Sequence, residues 1–158
     1  MKEFELIYKE LYHDINNYFY YLYGDKDIAA ELTQETFYKV LISLHTFSEK
    51  CSLKTWVFSI AKHTHYQFLK QKSKSEFKNP YGNEGQSFTS QSDTKIIVHT
   101  ALSQLKEPYK QVLILHLIND LNFKQIAYLI GKTENWAKVT FFRGKIMLKE
   151  LIDKEDMV

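Results

Sequence analysis

Apolar residues recur at three- and four-residue intervals over most of this chain, the period of amphipathic helices and not of strands. From Phe4 to Tyr23 the pattern runs through Leu6, Ile7, Leu11, Ile15, Tyr18, Phe19 and Leu22, and Gly24 supplies a helix stop. Ile28, Leu32, Phe37, Val40, Leu41 and Leu44 fall on one side of a second helix, and Leu53, Val57, Ile60, Ala61, Thr64 and Phe68 on one side of a third. The pattern lapses between Ser73 and Asp93, where Pro80, Gly82, Gly85 and many Ser, Asn and Gln predict a flexible linker. It resumes through Ile97, Ala101, Leu102 and Leu105, passes Pro108 at a position that suits a first helical turn, and continues through Val112, Leu113 and Leu117. The expected architecture is all-α, with helical modules at residues 1–75 and 94–158 joined by a tether at 76–93.

Composition narrows this picture. With 44% hydrophobic and 15% aromatic residues, the chain of 158 has ample material for a core, and its 5 Gly and 2 Pro disfavour turn-rich β folds. The net charge of +2 names no partner, but its distribution is informative. Met1 to Lys50 holds 5 Lys against 9 acidic residues, a net of −4, while Cys51 to Lys78 holds 6 Lys against Glu76 alone, a net of +5. Such a chain could meet a protein with one surface and an anionic polymer with another, although two solvated surfaces explain the charge equally well. The single cysteine, Cys51, allows no internal disulfide and suits a reducing compartment. With no apolar signal core and no run near the roughly 20 residues of a membrane span, a cytoplasmic protein without membrane insertion is expected. Of the 21 basic residues all but Arg143 are Lys, which points to an AT-rich genome more than to chemistry.

The C-terminal module carries a compact motif. Asn122-Phe123-Lys124-Gln125 reads as a capping box opening a short helix through Ile126, Ala127, Leu129 and Ile130. Gly131 permits a tight turn, and Thr133 caps a second helix whose inward stripe is Ala137, Phe141, Gly144, Leu148 and Leu151. Ala127 followed four residues later by Gly131 is the spacing of a helix-turn-helix, whose second helix enters the major groove. Lys138 and Arg143 are suited to phosphates, and Asn135, Val139 and Thr140 to base edges. An ordinary helical hairpin with a charged face would share much of this pattern.

Two stripes in the N-terminal module add to the motif. Opposite the apolar side of the second helix stand Glu31, Gln34, Glu35, Tyr38 and Ile42, an acidic and amide face better suited to a protein than to DNA. The third helix turns Ser59, Lys62, His63, Tyr66 and Lys70 outward. Cations interleaved with an aromatic ring are what an unpaired strand requires.

With these stripes the sequence resembles the extracytoplasmic-function class of bacterial RNA polymerase sigma factors. The matching residues are Asp27 through Phe37, Trp56 through His63, Leu121 through Ala127, the turn at Gly131, and Lys138 through Arg143, in order over nearly the whole chain. The resemblance implies a sigma region 2 bundle at 1–75 and a sigma region 4 helix-turn-helix at 94–158. It implies that Glu31, Gln34, Glu35, Phe37 and Tyr38 dock on the β′ clamp helices of core polymerase. The loop from His45 to Ser52, with Ser48 and Lys50, would capture a flipped base of the −10 element, and Lys62, His63, Tyr66 and Lys70 would face the opening duplex. Thr133, Asn135, Lys138, Val139, Thr140, Phe142 and Arg143 would contact the −35 element. Core polymerase, through its clamp helices and β flap, and promoter DNA are the implied partners. Many members of the class are held inactive by an anti-sigma factor, which joins the candidates.

The sequence departs from the family pattern at Ala30, where an acid is usual, and at His63, where Asn is common. Trp136, Ala137 and Lys132 replace a usual hydroxyl residue, Val and aliphatic, and Trp136 either packs beside the turn or faces DNA. Gln125 and Thr140 stand for a common Glu and Arg. Neither a metal site nor a catalytic site is expected. His63 and His65 point different ways on a helix, Cys51 has no second thiolate, and no phosphate-binding Gly loop or cofactor signature is present. The main rival is a stand-alone helix-turn-helix regulator, which would have no use for the Glu31–Gln34–Glu35 face.

Overall fold

The computed structural model describes residues 2–74 and 93–156, and all their regular structure is helical. The expected tether lies outside the described residues except for residue 93. The chain divides into two units, residues 1–19 with 25–86 and residues 20–24 with 87–158.

The helix α1 (Lys2–Tyr23), whose residues from Tyr20 on belong to the second unit, and α2 (Lys26–Ser43) of the first unit are separated by a break at Gly24 and Asp25. Gly24 takes φ 68°, a left-handed conformation that costs glycine little, and ends α1. The Asp25 carboxylate then caps α2, accepting the N–H groups of Asp27 at 2.8 Å and Ile28 at 3.1 Å. A short 3-10 turn (Leu44–Thr46) leads to the loop before α3 (Leu53–Lys74). The core joins Ile7, Leu11, Ile15, Tyr18 and Phe19 to Ala29, Leu32, Phe37 and Val40 of α2 and to Val57, Phe58 and Ala61 of α3. Each fully buried ring or aliphatic chain contributes about 1.5–3 kcal/mol to this core. Tyr18 meets Phe58 edge-on at 5.7 Å and His65 at 6.3 Å, so His65 is an interior residue.

Several interior positions lie off the apolar pattern. Thr33 and Thr36 are buried because their hydroxyls donate to the carbonyls of Ala29 and Leu32, at 2.6 and 2.8 Å, and are satisfied within the helix. Leu6 and Leu41, read as part of the inward pattern, are instead exposed.

The second unit contains α4 (Asp93–Ser103), α5 (Tyr109–Leu113), α6 (Phe123–Ile130) and α7 (Glu134–Asp156). α5 widens into a π turn at Ile114–Ile118. A π turn takes an extra residue per turn and so shifts the inward register. Leu117, expected inward, is 47% exposed, whereas Ile114 and Leu115 are buried. His116 sits at this turn. Its Nδ1–H donates to the Leu121 carbonyl at 2.9 Å, its ring stacks on Phe123 at 4.4 Å, and Phe141 meets it edge-on at 4.6 Å.

The capping box forms as expected: Asn122 Oδ1 accepts the Gln125 N–H at 2.8 Å, and Gln125 Oε1 accepts the Asn122 N–H at 2.9 Å. Gly131 takes φ 76° and donates its N–H to the Ala127 carbonyl, turning the chain into α7. Gly144 lets α7 pass close to α5, where a Cβ would lie 3.3 Å from both Leu113 Cδ1 and Tyr109 Cβ.

Candidate nucleic-acid and partner interfaces

Three helices present the residues singled out by the sequence. On α2, Glu31, Gln34, Glu35 and Tyr38 are exposed on neighbouring turns. Gln34 Nε2 donates to the Tyr8 hydroxyl at 3.1 Å, and Glu35 lies 3.6 Å from the ammonium of Lys39. Lys39 also donates to Thr64 Oγ1 at 3.0 Å and Gln67 Oε1 at 2.6 Å, so it ties α2 to α3. Phe37 does not join this face as a contact residue. It is 1% exposed, with Tyr8 edge-on at 4.9 Å and Tyr12 stacked at 6.2 Å, and it supports the surface from beneath. Beside the acidic face, Phe4, Tyr8, Tyr12, Gln34, Tyr38 and Leu41 line a groove of about 710 Å³ between α1 and α2. Sequence reading missed this groove, since the aromatic residues of α1 signal burial without showing where it is incomplete.

The loop before α3 exposes His45, Ser48 and Lys50. Phe47 packs on Trp56 with ring centres 5.2 Å apart, which anchors the loop to α3. Ser52 is exposed as well, and its hydroxyl accepts the Thr55 N–H at 3.1 Å, which caps α3. On α3, His63, Tyr66 and Lys70 are exposed, and the Lys62 ammonium lies 5.7 Å from the Tyr66 ring centre. Partial burial lowers the Lys62 pKa from the usual lysine value. His63, Tyr66, Gln67, Lys70, Gln71 and Lys74 line a shallow groove of about 490 Å³.

On α7, Asn135, Lys138, Val139, Phe142 and Arg143 are exposed. Thr140 is not. At 5% exposure it faces the core, because it lies one turn after Ala137 and one before Gly144 on the inward side. The Thr133 hydroxyl accepts the Trp136 N–H at 3.0 Å, which makes it the cap of α7. Trp136 is half-buried, with the Lys132 ammonium 5.8 Å from its ring centre. No cluster of three His, Cys, Asp or Glu side chains that could hold a metal occurs among the described residues. No helix among them is long and apolar enough to cross a membrane.

Both halves of the chain match one family. The sigma-70 region 2 model matches residues 7–75, and the sigma-70 region 4 model matches residues 95–148. The chain belongs to the sigma-70 family of RNA polymerase sigma factors.

Its relatives place this sigma factor in the extracytoplasmic-function class. The chain is 28% identical over 159 residues to RNA polymerase sigma factor YlaC of Bacillus subtilis (strain 168), covering 95% of this chain and 92% of the relative. It is 28% identical to the ECF sigma factor SigX of the same organism, with 96% and 89% covered. Among solved structures it resembles sigma factor RpoE of Bartonella quintana, crystallised with the anti-sigma factor NepR. The TM-score is 0.79 at 20% identity, with 97% of this chain and 98% of the other covered. Sigma regions 2 and 4 together fit promoter-directed transcription initiation, and a stand-alone regulator would leave region 2 without a role.

Proposed function

We propose that this sigma factor docks on core RNA polymerase through α2 and contacts promoter DNA in two chemically different ways. Glu31, Gln34, Glu35 and Tyr38 form the polymerase face, with the β′ clamp helices as partner, and the β flap engages the second module. His45, Ser48 and Lys50 hold the non-template strand of the −10 element, while Lys62, His63, Tyr66 and Lys70 line its path. A phosphate beside Lys62 would offset the desolvation its ammonium suffers. Asn135, Lys138, Val139, Phe142 and Arg143 meet the −35 duplex. Ser52 and Thr133 contribute as helix caps, and Phe37 and Thr140 as supports beneath their surfaces.

The protein supplies recognition and leaves the chemistry of RNA synthesis to core polymerase, which places it in the cytoplasm. RpoE of Bartonella quintana was crystallised with an anti-sigma factor, and a protein of that kind is a candidate partner here. The observation that carries the proposal is the pairing of an exposed acidic and amide face on α2 with an exposed basic and aromatic face on α3. Taking a base out of the stack costs a few kcal/mol, least where pairing is weak, so short AT-rich −10 elements are favoured. Run-off transcription with purified core polymerase on a library of AT-rich promoters tests the whole reading. Defined start sites that require this protein are expected; folded protein and active core without any start site would refute it.

A further inference from the structure

The outward face of α7 is unusual for a helix that meets DNA. Opposite the buried line of Ala137, Phe141, Gly144 and Leu148 runs a stripe of exposed apolar side chains: Val139 at 37%, Phe142 at 53% and Ile146 at 62% exposure. Their three- and four-residue spacing puts them on one face over two turns, with Asn135 one turn ahead. Single exposed apolar residues need no explanation, but a line of them opposite the core indicates something that covers it. The flanks indicate what. Lys138, Lys145 and Lys149 follow one edge of the stripe and Arg143 the other, all exposed. The acid Glu134 precedes the stripe in the first turn of α7, and the next acids, Glu150 and Asp153, come at its far end, beyond Ile146.

An apolar centre between cationic edges matches one occupant in particular. In a major groove the phosphates stand at the two rims, and the apolar group presented between them is the C5-methyl of thymine. The residues on the centre line offer neither a fork for guanine nor a carboxylate for cytosine. Asn135 suits the N6 and N7 edge of adenine, the partner of thymine. We infer that this sigma factor reads its −35 element chiefly through thymine methyl groups, with Val139 and Phe142 as the specificity-determining contacts and Asn135 supporting the same A·T pairs. This inference rests on the −35 reading proposed above and adds which bases are read and by what force. The cations on both edges position the helix and contribute no sequence preference.

Replacing thymidine by deoxyuridine removes the methyl and keeps every hydrogen-bonding group, so the test can be clean. A preferred −35 duplex is first selected from a random library with holoenzyme made from the full chain and core polymerase. It is then resynthesised with deoxyuridine at one thymidine at a time. Binding roughly fourfold weaker per contacted methyl is expected, the effect of about one buried methyl group. In Val139→Ala the thymidine–deoxyuridine difference should vanish at one position and persist at the others. Phe142 is a poorer probe, because its ring also lies 6.4 Å from Phe123 at the start of α6.

A selected duplex bound with equal strength in both forms would overturn the inference while leaving −35 recognition intact. So would a selected element whose specificity resides in G·C pairs. Crosslinking of residue 139 to a polymerase subunit instead of DNA would assign the stripe to a protein and would also overturn it. Failure to select any duplex, with start sites lost as well, would instead count against the proposed function itself.

Discussion

The outward faces of α3 and α7 use the same ingredients in opposite arrangements. On α3, Lys62, Tyr66 and Lys70 follow one another on a single stripe, so cation and ring alternate along the helix. On α7 the apolar groups hold the centre and the cations keep to the edges. A single strand exposes bases and phosphates to the same surface, and an alternating stripe can stack on one and neutralise the other. A duplex separates them, with phosphates at the groove rims and base edges between. Under the proposed function, the arrangement of charge and apolar surface, more than the amount of either, is what distinguishes a surface for melted DNA from one for paired DNA.

Removing one of the two faces should have the largest effect. Gly144→Val would place a branched side chain against Leu113 and the Cβ of Tyr109, 3.3 Å from the position of the new Cβ. Such overpacking costs about 1–3 kcal/mol. The second unit should melt earlier in a thermal scan and −35 duplex binding should fall, while capture of a −10 single strand is retained. Tyr66→Ala attacks the α3 face instead. Stacking of one base on an aromatic ring contributes about 1–3 kcal/mol, so binding of a single-stranded −10 oligonucleotide should weaken by about fivefold or more in a fluorescence assay. An unchanged affinity would remove Tyr66 from the strand's path.

Glu35→Lys leaves both DNA faces in place and tests what they are attached to. The reversed charge should reduce association with core polymerase roughly tenfold in a pull-down or binding titration. Its side chain is exposed and its pairing with Lys39 is a surface ion pair, so the thermal midpoint should change little. Lys138→Ala is the mildest change and separates edge from centre on α7. It should weaken binding to all −35 duplexes alike and lower the slope of log affinity against log salt by about one. A change of sequence preference would mean that Lys138 reads bases.

Features determined by local chemistry are legible in the sequence. The Asn122–Gln125 capping box, the left-handed turn at Gly131 and the inward line Ala137–Phe141–Gly144–Leu148 depend on neighbouring residues. Features that depend on packing are not. Thr33, Thr36 and Thr140 look polar in a hydropathy pattern but are interior, and for the first two the hydrogen bond that permits this ends on their own helix. Nothing in the run from Val112 to Ile118 announces the extra residue of a π turn, so a regular helical period puts Leu117 on the wrong side. Phe37 shows the limit for sites: a family motif includes it, and only burial shows that it acts from below. The apolar stripe on α7 is visible residue by residue, yet its meaning depends on knowing which cations flank it.

If two separate faces hold two forms of DNA, damage to one must leave the other intact, and a crossed binding measurement decides this. Holoenzyme carrying Tyr66→Ala or Val139→Ala would be titrated with a single-stranded −10 oligonucleotide and with a −35 duplex, each followed by fluorescence anisotropy. Separate faces require that Tyr66→Ala weaken only the single strand and Val139→Ala only the duplex. Equal losses on both probes for either variant, or a Val139→Ala protein impaired on the single strand, would show that the two faces are not separate.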